Sequence, residues 1–177
     1  MSYSIIFETK ICRLPDGKII HFSLSGCNND NAGRTRNDWR GKLYDSEEDF
    51  LKYVSRFDEY DDPYVLKINS RWCSQKQYAE HLRRMLNRAC SFKDLSLLYG
   101  MSARIFTGET VFFEDGRCKD YSPKEWDKVC YDYWFGHIPS RKMISHYKFS
   151  SDEKEIVEIL ENNGPVSFYI GRKNKSA

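Results

Sequence analysis

The chain has 177 residues and a net charge of +2, with 40% hydrophobic, 15% aromatic and 31% charged residues. That apolar share supports one domain with its own core and excludes a disordered or collagen-like chain. No apolar run is long enough for a membrane-spanning helix, and "MSYSIIFETK" lacks the basic and apolar regions of a secretory signal. A cytoplasmic protein without membrane contact is therefore expected.

In chain order, "YSIIFETKICRLPDGKIIHFSLS" predicts two strands joined at "PDGK", where Pro15 and Gly17 supply turn geometry. The polar stretch 26–42, "GCNNDNAGRTRNDWRGK", holds Gly26, Gly33, Gly41 and an Asn run, and predicts an irregular loop that presents its arginines. A helix follows over 47–57, capped by Ser46 with Asp49 and carrying an apolar stripe of Phe50, Leu51, Val54 and Phe57. "YVLKIN" predicts a short strand. The strongest helix is 75–90, with Ser74 and Gln77 as a capping box and Tyr78, Leu82, Met85, Leu86 and Ala89 at helical spacing. "SFKDLSLLYG" predicts one more short helix ending at Gly100.

"ARIFTGETVFFEDGRCKDY" has two turn signals, "TGE" and "EDGR", and predicts a three-strand meander. "SPKEWDKVCYDYWFG" predicts a helix with Ser122 as cap, Pro123 in its first position and Gly136 beyond its end. Then come a strand in "RKMISHYKF", a capped helix in "SSDEKEIVEILENNG" and a closing strand in "PVSFYIG". The expectation is a single α+β domain over 1–171, with a mostly antiparallel sheet and about four to five short helices. Residues 172–177 are expected to form a flexible basic tail.

The chain lacks a P-loop, G-x-G-x-x-G, H-E-x-x-H and G-x-S-x-G. Its six cysteines contain no C-x-x-C pair and are expected to be reduced and structural. His21, His81, His137 and His146 are scattered. No catalytic residue, metal or cofactor is assigned. The enzymatic alternative is a metal-dependent nuclease built around Asp30, Asp38 and the histidines.

Charge is distributed unevenly. Arg34, Arg36, Arg40 and Lys42 stand against one acid, Asp38, and the span 67–93 carries seven basic residues against Glu80 alone. On helix 75–90, Arg84 and Arg88 lie one turn apart on a face shared with Lys76 and Glu80, opposite the apolar set. Guanidinium suits two-pronged contact with phosphate or carboxylate. The candidate contact surface is accordingly Arg34, Arg36, Arg40, Lys42, Arg71, Trp72, Lys76, Arg84 and Arg88. Between Asp45 and Asp62 eight acids face only Lys52 and Arg56. They read as first-turn helix acids plus a polar linker, or as a stripe that mimics nucleic acid.

The N-terminal hairpin together with "HFSLSGCNNDNAGR", "WRGKLYDSEEDF", "YAEHLRRMLNRA" and "FYIG" resembles small accessory proteins of phages and mobile elements in Gram-positive bacteria. Within that group the chain is similar to the type II anti-CRISPR proteins, which inhibit Cas9. The resemblance spans most of the chain and lies in layout and phrase, with no catalytic motif to carry over. It implies a Cas9 or Cas9–guide RNA complex as partner, with DNA or RNA contact, inside a bacterial host cell. A standalone nucleic-acid-binding accessory protein is the alternative.

Overall fold

Leu14 donates its backbone N–H to the Lys18 carbonyl at 2.9 Å and accepts from Gly17 at 3.0 Å, closing the turn at "PDGK". The two arms of that turn begin a sheet that organises the rest of the molecule. The computed structural model describes residues 2–29, 34–59, 66–68, 71–94, 101–134 and 144–172. Strands β1 (Ser2–Arg13) and β2 (Ile19–Asn29) pair antiparallel, and β2 pairs in turn with β3 (Arg34–Tyr44).

The loop expected over 26–42 is therefore corrected. Its two ends are strand, in register from Ile19 opposite Tyr44 to Asn29 opposite Arg34. A polar composition hid this, because backbone ladder bonds need no apolar side chain; within the stretch, Trp39 and Gly41 are buried. Along these strands side chains alternate between the two sides of the sheet. Cys12, Ile20, Phe22 and Trp39 join one core cluster, whereas Ile11, Ile19 and Tyr44 join another on the opposite face. Gly41 is required here by close approach: a Cβ would overlap the Phe168 ring, which packs edge-on against Phe22 at 4.8 Å.

Helix α1 (Glu47–Ser55) runs into a 3-10 turn over Arg56–Asp58, and α2 (Gln75–Asn87) packs beside it. Ser46 accepts the Asp49 N–H at 3.1 Å, as the spacing predicts, and Ser74 and Gln77 form the reciprocal box. Helix α2 ends three residues earlier than the pattern suggests, with Arg88 as C-cap. Tyr78, Leu82 and Leu86 are buried with Phe50 and Val54, while Leu51, predicted in the apolar stripe, is 36% exposed and lies outside the buried one. Between the helices, β4 (Leu66–Ile68) and β5 (Arg71–Cys73) form a small hairpin whose first strand packs on β1. The helix expected over "SFKDLSLLYG" is seen at 92–94; residues 95–100 lie outside the described residues.

Strand β6 (Met101–Phe112) corrects the expected meander. "TGE" is not a turn but a register shift between Phe106 and Gly108 within one strand; "EDGR" is the turn, leading to β7 (Cys118–Tyr121). Helix α3 (Pro123–Trp134) follows, held by Ser122 accepting from the Glu125 N–H at 3.2 Å. Then come β8 (Ile144–Ser150), α4 (Glu153–Asn163) with Asp152 as cap, and β9 (Val166–Arg172). Gly136 and residues 173–177 of the predicted tail lie outside the described residues.

Ile105 pairs with both Phe168 of β9 and Ser150 of β8, so β9 and β8 flank β6 on opposite edges. Strand β9 also pairs with β3 and closes a seven-stranded antiparallel sheet, which makes the fold α+β. Helix α4 covers the first face, burying Ile156 and Leu160, each contributing roughly 1.5–3 kcal/mol. Helices α1 and α2 cover the other face at its β1–β3 end.

His21 sits under α1 and α2, its ring 5.5 Å from Phe50 and 6.1 Å from Tyr53. Burial first, then the charges of His81 and Lys42, push it down to about 4. The folded chain thus holds His21 neutral where the unfolded chain would protonate it. Its contribution is fully present above pH 6.5 and is lost as pH falls toward 4. Between pH 7 and pH 5 the unfolding free energy should drop by about 2 kcal/mol from this group. His21→Phe should flatten that slope in urea titrations. A wild-type curve already flat over that range would show that His21 is not held neutral.

Candidate functional site

The predicted contact residues divide by what the fold has already done with them. Arg34 and Arg36 lie on β3, where the backbone alone is described. Arg40 donates to the Pro165 carbonyl at 3.0 Å and lies 3.9 Å from Asp127, so it ties β3 to the approach of β9 and to α3. Lys42 lies over the rings of Tyr44 at 5.0 Å and Tyr53 at 5.9 Å. Both side chains are exposed yet already hold internal partners.

The second group is differently placed. Arg71 and Trp72 stand on β5, Trp72 46% exposed, directly before the α2 cap. On α2, Arg83 is consumed by the fold through its ion pair with Asp58. That pairing holds the Asp58 carboxyl below its usual range. The side chains of its neighbours Arg84 and Arg88 are exposed and make no hydrogen bond or ion pair among the described residues; Lys76 is exposed about two and three turns earlier. Helix α1 packs against both β3 and α2. The acidic stretch is partly engaged: Glu47 accepts from Arg13 at 2.8 Å, Asp58 from Arg83, and Glu48 faces Lys52 at 3.7 Å.

A second feature lies at the other end of the sheet, and sequence reasoning missed it. Strands β8, β6 and β9 present Tyr147, Phe106, Phe149, Arg104 and Tyr169 as one row. Phe106 lies 5.7 Å from Tyr147 and 6.0 Å from Phe149. Arg104 is stacked over the Phe149 ring at 5.6 Å and the Tyr169 ring at 4.8 Å. Phe106 is buried, but Tyr147, Phe149 and Tyr169 are 61%, 43% and 52% exposed. Helix α3 walls this row with Pro123, Trp126, Asp127 and Cys130, leaving a groove of about 360 Å³. Glu109, fully buried two residues beyond the register shift, pairs in register with Tyr147. Burial first and the Glu109 charge second raise both the Tyr147 phenol and the Cys130 thiol above their usual range. The alternation in "SHYKFS" was legible as a strand, but alternating aromatics read as core until the topology shows which face stays open.

The remaining candidates are dispersed. Thr9 and His81 share a hydrogen bond of 3.2 Å, and His146 is exposed on β8, edge-on to Phe112 at 5.5 Å. Asp30 and His137 lie outside the described residues. Cys12, Cys73, Cys90, Cys118 and Cys130 are free thiols; Cys12 and Cys90 sit at a parallel bridge between β1 and the segment after α2, both raised by burial. Comparison with protein-family models, curated protein sequences and solved structures finds no match for this chain.

Proposed function

We propose that this chain is a non-enzymatic binding protein that docks on a nucleic-acid-bearing complex. The specific case its sequence resemblance implies is a Cas9–guide RNA complex, whose target cleavage it blocks in a bacterial cytoplasm. The observation that carries the reading is the contrast on α2: Arg83 is held by Asp58, whereas Arg84 and Arg88 are exposed and unengaged by described residues. A guanidinium pair one turn apart, with no hydrogen bond or ion pair from its side chains among the described residues, is suited to bidentate contact with phosphate or carboxylate. The acidic-mimic alternative has less support, because Glu47 and Asp58 are turned to internal arginines.

The test is a cleavage assay in purified components. The chain should block Cas9–guide cleavage of target DNA at near-stoichiometric ratio and without turnover. Full cleavage at every ratio would end the Cas9 reading.

A further inference from the structure

We propose that the groove between α3 and the β8–β6–β9 row is a base-stacking site for single-stranded nucleic acid. The inference goes beyond the proposed function, since it concerns another surface and needs no Cas9. Three features carry it. The groove floor offers three partly exposed rings, two on β8 and one on β9 across β6, and every nucleobase has a flat face that such rings accept. Arg104 extends that flat surface between Phe149 and Tyr169 and, among the described residues, is in no ion pair, so its charge is available to a phosphate. The carboxylate lining the groove, Asp127, already faces Arg40.

Charge also gives the groove a direction. Glu109, fully buried, pairs in register with Tyr147 at one end of the row, which favours an uncharged base there. Arg104 marks the opposite end, where the backbone phosphate would lie. A volume of about 360 Å³ takes a nucleoside-sized part of the strand. Duplex DNA keeps its bases stacked on one another and would not use the rings.

The experiment is a fluorescence anisotropy titration of the full chain with a fluorescein-labelled oligothymidylate. Tyr147→Leu, Phe149→Leu and Tyr169→Leu should each weaken binding roughly tenfold, the scale of losing one stacked base. Tyr147→Phe and Tyr169→Phe, which keep the ring, should bind like wild type. Arg104→Ala should weaken binding and flatten its salt dependence. Thermal midpoints measured alongside identify any variant that fails to fold, and the Phe variants then decide. Arg84→Glu with Arg88→Glu, titrated alongside, reports any phosphate contact made by the α2 surface instead. Failure of the chain to inhibit Cas9 alongside ring-dependent oligonucleotide binding would sustain this site alone. The inference is overturned if wild type does not bind the oligonucleotide, or if the Leu variants bind as well as wild type. It is equally overturned if the α2 variant alone loses binding, or if a proline-rich peptide occupies the groove while the oligonucleotide does not.

Discussion

Leu82→Ala should lower the unfolding free energy by about 2–5 kcal/mol, the range for truncating a fully buried leucine. Leu82 is completely inaccessible and belongs to the cluster of Ile11, Ile19, Tyr44, Phe50, Val54, Tyr78 and Leu86. That cluster joins α1 and α2 to β1, β2 and β3, and its rings constrain one another: Phe57 lies edge-on to Tyr78 at 5.0 Å, and Tyr44 to Phe50 at 5.2 Å. A side chain surrounded by rings already in mutual contact leaves a space that cannot collapse without moving several of them, which places the cost high in the range. Denaturant unfolding of the purified variant measures it. A change below about 0.5 kcal/mol, typical of surface positions, would mean that α2 buries a different face.

Gly108→Ala should be comparably costly, at roughly 2–5 kcal/mol, though it adds only a methyl group. Two physical terms combine. Gly108 has φ of 138°, in the region that side-chain-bearing residues avoid, and an added Cβ would overlap the Tyr121 carbonyl oxygen. The obstructing atom is backbone of β7, so relief requires moving a strand rather than rotating a side chain. The position is also where β6 shifts register against β8, and that shift sets which face Glu109 occupies. An Ala variant with wild-type stability would show that β6 passes this point without the special backbone conformation. A variant that is destabilised and also loses oligonucleotide binding would tie the shift to the aromatic row.

What the sequence made legible follows from the range of the forces involved. Caps are local: Ser46, Ser74 and Ser122 bond to residues three positions on, and each marks a helix start that the structure keeps. The "PDGK" and "EDGR" turns are likewise closed locally, by bonds between the residue just before each turn and residues within it. The stretch 26–42 was misread because its strand character comes from pairing with partners across the hairpin, a term that composition does not display. "TGE" was misread as a turn because a glycine within a strand can mark a bulge as well as a reversal. The short strand β5 carried too few residues for a period-2 pattern. For the candidate site, the exposure of Arg84 and Arg88 was readable from the helical period, but the engagement of Arg40 by Pro165 and Asp127 was not. Its bond to Pro165 joins residues 125 positions apart, and the meeting of Arg104 with Tyr169 across β6 and β9 is likewise long-range. Long-range contacts decide which exposed arginines remain available to a partner.

The most direct test of the central claim is inhibition of Cas9–guide cleavage by wild-type protein and by the variant carrying Arg84→Glu and Arg88→Glu, measured against protein concentration. Both residues are exposed and outside every ion pair among the described residues, so the variant should unfold like wild type. The account predicts inhibition by wild type at near-stoichiometric ratio and at least tenfold weaker inhibition by the variant, about 1.4 kcal/mol of binding. Equal inhibition by a folded variant, or no inhibition by wild type at any ratio, would contradict it.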